Sequence, residues 1–409
     1  MKNIVIVGGG TAGWLSALFL NKHYINSKVT LIESTEIGIL GAGEGTTGNA
    51  PIFLSKLGIT LEDLKNNVDL TIKTGISFEN WHNNGDKHFH PISYIYKNER
   101  EKKHGYHFNA RKLAEFLKSK AIERGVVHID GLVDGFVSNE TNDIVEVKIK
   151  NASNIKTDFI FDCSGFARLI IGKHYNSKWI SYEKYLKVNT AIPYFLKNEE
   201  KRNLTHTKAI GMKYGWMWQI PLQSRWGCGY IIDSNEISEN DAKQEVIDFL
   251  GHEVEFVKPI KFNPGCYEKV WVNNCVSIGL SGGFLEPLEA TSLMTTIIQL
   301  TNLVDLYDVN QNDSRDLYNK IIYGVNNQNM LFIYYHYLTN REDTSFWKKI
   351  KNNNKKLPKP LDILIDNNFN VINGKYNEYS TQYPVIIWSE TSWHIMNDAI
   401  KNKIFKKVL

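Results

Sequence analysis

Only four cysteines occur among 409 residues, at Cys163, Cys228, Cys266 and Cys275. None forms a C-x-x-C pair and none has metal-ligand spacing, so the pattern excludes a disulfide scaffold and predicts no metal site. Such isolated thiols read as buried small hydrophobes, reduced in a cytoplasmic protein. No apolar run approaches the ~20 residues that a membrane-spanning helix needs. No signal peptide is recognised either, because the apolar segment 4–7 is short and leads straight into glycines. The net charge is only +4, which removes any demand for nucleic acid or a membrane as partner. Internal repeats and long low-complexity linkers are absent, and the lysine- and asparagine-rich run 348–356 is expected to be a solvated segment. With 42% hydrophobic residues, the chain is long enough for a sizeable core and a second lobe.

What is present begins at the N-terminus. Helical and strand patterns alternate over the first half, which predicts an α/β fold. Residues 4–7 read as a buried parallel strand, followed by Gly8, Gly10 and Gly13 in a G-x-G-x-x-G pattern. The first glycine makes the tight turn, the second admits a pyrophosphate to the backbone, and the third lets helix pack on strand. Thr11 and Ala12 open a helix over 11–22, whose N-terminal N–H groups suit phosphate. A second strand over 29–32 ends at Glu33, about twenty residues beyond Gly13, where a carboxylate meets a ribose hydroxyl. A second glycine-rich run, 41–47 (G-A-G-E-G-T-T), carries Ala42, Gly43 and Glu44. The strand that ends at Asp162, before a glycine, is a common device for holding the ribityl chain of FAD. Only one complete nucleotide fingerprint is present. The expectation is therefore FAD with no NAD(P)H site, the reduced flavin coming from elsewhere.

Residues 215–221 (G-W-M-W-Q-I-P) carry a rarer pattern, W-x-W-x-I-P, at Trp216 and Trp218. Together with the glycine fingerprint it resembles the flavin-dependent halogenases, the tryptophan-halogenase-like family. Further segments extend the resemblance over most of the chain. The run 41–47 is similar to the family's G-E-x-T segment along the flavin, and 159–168 to its D-C-S-G-F stretch. Residues 71–81 resemble K-x-G-x-x-F-x-x-W, and 278–292 resemble G-F-x-E-P-L-E-S-T. The resemblance implies that reduced FAD reacts with dioxygen to a flavin hydroperoxide, and that halide (chloride, bromide or iodide) attacks it to give hypohalous acid. Lys73 would direct that acid at an electron-rich aromatic carbon, indole-like or phenolic, and Glu289 would take the ring proton. Thr291 and Ser292 would bind the halide through backbone N–H groups at a helix start. Val133, Gly279 and Leu293 would complete the cofactor contacts. Trp216 and Trp218 would form a wall between flavin and substrate, and Glu286 would hold the turn before its proline. Where the family has serine after the second glutamate, this chain has Ala290. Where it has Y-H-F-D-A, this chain has Asn109. His336 reads as a satisfied core histidine. The segment 88–91 (H-F-H-P) resembles a substrate-side loop of low specificity.

The implied architecture is a FAD-binding Rossmann-like core of the glutathione-reductase type, with a β-sheet substrate lobe and a helical C-terminal cap. The core is placed at 1–80, 105–175 and 275–305, the lobe at 81–104 and 176–274, and the cap at 306–409. Residues 401–409 read as a short amphipathic closing helix. The chain is shorter than the family's free-tryptophan halogenases, chiefly in its C-terminal half, which implies a more open substrate site. A separate NAD(P)H-dependent flavin reductase and a homodimer belong to the same expectation. The alternatives are a flavin-dependent monooxygenase and a catalytically inactive FAD-binding relative.

Overall fold

The apolar strand Asn3–Val7 lies at the centre of a six-stranded sheet, flanked by Lys28–Glu33 and Phe159–Asp162 in parallel register. Outside these run Val127–Asp130 and Cys275–Ser277, also parallel, with the antiparallel Trp271–Val272 at the edge. Continuous apolar strands of this kind suit a sheet covered on both faces. The helix Thr11–His23 covers one side with Trp14, Leu15, Leu18 and Phe19, all buried in the core that includes Ile4, Val5 and Ile6. The structure is a computed structural model. It describes residues 2–38, 44–92, 94–96, 99–101, 104–197, 204–305, 312–354, 357–369 and 387–401.

A second, seven-stranded sheet carries the tryptophans. Its order is Ile260–Lys261, Thr190–Lys197, Arg225–Ile232, Gly215–Pro221, His206–Gly211, Gly75–Glu79 and Lys87–Pro91. All neighbours are antiparallel except His206–Gly211 with Gly75–Glu79. Gly75–Glu79 runs in this sheet, although the sequence reading grouped it with the cofactor core. The period of two along Gly215–Pro221 sends Trp216 and Trp218 to one core and Met217 to another. Gly229 lies opposite Trp218. A Cβ there would sit 1.9 Å from the Trp218 ring, so glycine is what seats that indole.

A small sheet links the two. Gly105–Phe108 pairs with Glu44–Gly45 on one side and with Thr71–Lys73 on the other. Asn109 ends this strand and caps the helix Ala110–Glu123, accepting from the N–H groups of Arg111 and Lys112. The replaced acid thus keeps the capping function, for which Asn and Asp are equally suited.

The C-terminal part is helical: Asn312–His336, Ser345–Asn353, Lys359–Asp366 and Glu390–Ile400. The run 348–356, expected to be a solvated segment, is exposed or half-buried over its described residues except at Ile350. Its first part belongs to the helix Ser345–Asn353, which buries Phe346, Trp347 and Ile350. Lys349 is held by Asp233 and Glu236. The expected closing helix lies outside the described residues but for its first residue, Lys401. All four cysteines are buried free thiols. No helix among the described residues is long and apolar enough to cross a membrane.

Candidate active site

The nucleotide end of the first sheet has the shape its glycines predict. Gly8 adopts φ +113°, and a Cβ on it would lie 2.2 Å from the Cys163 carbonyl oxygen. Gly10 stands at the start of the helix Thr11–His23, with no side chain capping it and open space where a Cβ would be. Its neighbours' N–H groups therefore face an accessible helix N-terminus. Glu33 lies at the end of its strand, with Oε2 beside the Gly9 backbone and Oε1 accepting from Lys118 at 2.8 Å. Val133 follows within two residues of Gly131, whose N–H donates to the Glu33 carbonyl. Gly279, at φ +74°, approaches so closely that a Cβ on it would sit 2.8 Å from Ala12. This cradle fits the adenine-dinucleotide half of FAD.

One expected contact changes. Asp162 is fully buried and spends both carboxylate oxygens inside the chain, on Ser164 and on the N–H groups of Ile170 and Ile171. It shapes the loop 163–171 and has no oxygen left for a ribityl hydroxyl. Ala42 and Gly43 lie outside the described residues, and Glu44 is placed only as part of its strand.

A small cavity brings Gly279 together with Thr291 and Ser292, against Phe284, Leu285 and Asn326. Thr291 opens the helix Thr291–Asp305, which also carries Leu293 into the first core. The residue before it, Ala290, has φ +56°, a left-handed backbone that costs a non-glycine residue about 1 kcal/mol. This turn sets the direction in which the Thr291 and Ser292 N–H groups point.

Lys73 is 2% exposed. No hydrogen bond to its Nζ is found among the described residues. Burial pushes its ammonium down to about 8, while the charge of Glu289 works in the opposite direction. Its strand places it diagonally from His107, whose ring is held by Thr207 at 2.9 Å and Thr71 at 3.1 Å. Burial, and then the charge of Lys73, hold the His107 imidazole well below its ordinary value. Beside Lys73 comes Gly45, where a Cβ would lie 3.2 Å from Nζ. The lysine thus borders the segment 44–47 on one side.

Glu289 is 3% exposed, and two histidines meet its Oε1: His90 through Nδ1 at 2.9 Å and His336 through Nε2 at 2.8 Å. Burial works to raise this carboxyl, but the charge of His90 and the hydrogen bonds from both rings outweigh it. The group lies well below the ordinary carboxylate range. Sequence reasoning missed both histidines. His336 was read as core and His90 as a low-specificity match. No local pattern could have found them, because they lie 199 and 47 residues from the glutamate in sequence and meet it only in the fold.

The Trp216–Trp218 pair is anchored by Glu286. The Trp216 indole N–H donates to its Oε2 at 2.6 Å, and so does the Tyr337 hydroxyl. Burial pushes this carboxyl up to about 7, against the two hydrogen bonds. Trp216 and Trp218 meet edge-on at 6.4 Å, and Trp81, Tyr337 and Trp347 continue the aromatic layer.

Comparison with known proteins bears directly on this arrangement. The family model described as tryptophan halogenase matches residues 3–102 and 94–401. The 7-chloro-L-tryptophan 6-halogenase KtzR of Kutzneria sp. (strain 744) is 28% identical over 421 residues, covering 85% of this chain and 81% of that one. The tryptophan 7-halogenase RebH of Lentzea aerocolonigenes is 29% identical over 418 residues, covering 86% and 79%. The solved tryptophan C-6 flavin-dependent halogenase from taromycin biosynthesis superposes with a TM-score of 0.89 at 26% identity, covering 98% of this chain and 90% of that one. Flavin-dependent halogenases use reduced FAD, dioxygen and halide, the reduced flavin coming from a separate reductase. The fold, the glycine cradle and a family model spanning nearly the whole sequence lead to one statement: this enzyme belongs to the tryptophan halogenase family.

Proposed function

We propose that this enzyme halogenates an electron-rich aromatic ring, with Lys73 directing the electrophile and Glu289 receiving the ring proton. The observation that carries the reading is the buried Lys73 amine, without a hydrogen bond among the described residues, lowered to about 8 and coupled by charge to Glu289. A desolvated amine at that value is part neutral and part charged near neutral pH, so it can either bind a halogen or polarise it. Reduced FAD, with dioxygen and halide, supplies the hypohalous oxidant when bound.

The residues of this chain divide the remaining work. The helix start behind Gly10 and the Glu33 carboxylate hold the dinucleotide. The N–H groups of Thr291 and Ser292 hold the halide beside Gly279. Trp216 and Trp218 separate substrate from cofactor, so only a small oxidant passes. Glu289, kept as a carboxylate, stabilises the positive charge of the ring intermediate and removes its proton. The acceptor is an indole-like or phenolic ring. The assembly is a soluble homodimer served by the reductase.

The test is a mass-spectrometric screen of electron-rich aromatics. Purified protein, FAD, a flavin reductase and NADH are combined with chloride, bromide or iodide in separate reactions. Halogenated product that disappears in Lys73→Met is expected. Oxygenated product with no need for halide would overturn the reading in favour of a monooxygenase, and equal product from the variant would remove Lys73 from it.

A further inference from the structure

The helix Thr291–Asp305 carries four threonines, and they do not spend their hydroxyls alike. Thr296 donates to the Ser292 carbonyl at 3.0 Å and Thr301 to the Ile297 carbonyl at 2.9 Å, the common bond back to the preceding turn. Thr295 makes no such bond. Its Oγ1 accepts instead from the Asn329 amide at 3.2 Å, and Asn329 Oδ1 accepts from the Trp388 indole N–H at 3.1 Å. An indole N–H only donates, so the Asn329 atom facing it is the oxygen and the atom facing Thr295 is the nitrogen. No acceptor for the Thr295 hydroxyl hydrogen is found among the described residues.

Thr295 lines the small cavity that also takes in Thr291 and Ser292. It stands one turn beyond Thr291, and side chains on a helix lean back toward its N-terminus. Its hydroxyl therefore overhangs the end at which the first N–H groups have no partner within the helix. Thr291, 2% exposed, adds a second hydroxyl with no hydrogen bond among the described residues. Thr295, Asn329 and Trp388 are all buried. No residue lining the cavity is acidic, and Gln299 spends its side-chain oxygen on the Gly279 N–H. With about 10 Å³ of room, the cavity takes about one small guest. Donors left without acceptors around so small a space suit a monatomic anion.

We infer that the Thr295 hydroxyl donates to the halide, turned toward it by Asn329 and Trp388. This rests on reading the Thr291 and Ser292 N–H groups as the halide site, and it adds to them one side chain and two positioning residues. The Asn329 amide occupies one side of the Thr295 oxygen, and the hydrogen takes the other. Trp388 stands just before the helix Glu390–Ile400, so the C-terminal cap reaches the halide through two hydrogen bonds. The consequence is selectivity. The attraction between a donor and an ion falls with their separation, so a hydroxyl held in place favours the halide that is smallest. Chloride gains most from it and iodide least.

The test is halide binding to the FAD-loaded protein, read from the chlorine NMR line width during chloride titration, with bromide and iodide as competitors. Thr295→Val, close in shape but without the hydroxyl, is expected to weaken chloride about tenfold and iodide by less. Thr295→Ser keeps the hydroxyl and is expected to stay within about twofold of the native affinity. Trp388→Phe, which frees the Asn329 amide to turn over, is expected to fall between the two. Flavin affinity, measured on the same samples, is expected to be unchanged and shows that the fold stands. Equal chloride affinity in native protein and Thr295→Val would overturn the inference while leaving the backbone halide site intact. Chloride broadening that bromide does not relieve in native protein would remove that site and the inference with it, whatever the screen for halogenated product shows.

Discussion

Replacing Lys73 with methionine tests whether the amine is held in an apolar site at all. The side chains are close in volume, so the exchange removes a buried charge with little repacking. A fall from 10.5 to about 8 corresponds to about 3 kcal/mol of penalty on the charged form. The sign follows from proton counts. Between these values the unfolded chain binds more protons at this residue than the folded one, so stability rises with pH. The penalty is complete below about pH 8 and gone above about pH 10.5. Native protein should therefore be less stable than Lys73→Met near neutrality, and it should gain about 2 kcal/mol on the variant between about pH 7 and about pH 9.5. Other groups titrating in this window cancel in the comparison. The Glu289 carboxyl does not titrate there. The assay is denaturant unfolding of both proteins at a series of pH values, read as the difference between their midpoints at a common slope. Parallel pH curves for native and variant would refute the argument, because they would mean that Lys73 titrates as it does in water.

Three further perturbations follow from the geometry. Gly229→Ala places a methyl group within 1.9 Å of the Trp218 ring; overpacking should cost about 2 kcal/mol, and the displaced indole should let halide oxidation proceed without aromatic product, as measured by NADH consumed per product formed. Glu33→Gln removes a charged acceptor from the ribose position and should weaken FAD binding about tenfold or more; flavin fluorescence titration with an unchanged affinity would remove Glu33 from the cradle. Glu286→Gln keeps an acceptor for Trp216 and Tyr337 but cannot ionise. Because the native carboxyl is raised from 4.5 to about 7, native stability should fall by about 3 kcal/mol relative to the variant as pH rises through this window, and unfolding at about pH 5 and about pH 8 tests it.

Much of this molecule is legible in its sequence. Strand, glycines, helix, strand and acid stand in register from Asn3 to Glu33, because each local requirement points to the same βαβ unit. The alternation of Trp216, Met217 and Trp218 likewise gives a strand that divides two cores. What was not legible depends on contacts remote in sequence. Asp162 has the position of a ligand contact, yet its oxygens are consumed by backbone N–H groups up to nine residues onward. His90 and His336 are separated by 199 and 47 residues from the glutamate they share. No periodicity announces such a meeting, since a histidine on a helix or strand reads as packing until its partner is known. The lysines in the run 348–356 pointed to solvent, and the described residues there are exposed or half-buried except Ile350, which turns inward with Phe346 and Trp347 at helical spacing.

The small sheet has a mechanical meaning beyond positioning. His107 pairs through its backbone with Gly45 on one edge and Thr71 on the other. The stretch expected along the flavin and the strand that ends in Lys73 are therefore two rails joined by a single tie. A ligand on the first rail whose binding shifts the proton affinity of the amine on the second is bound more or less tightly by the same factor when that amine is protonated.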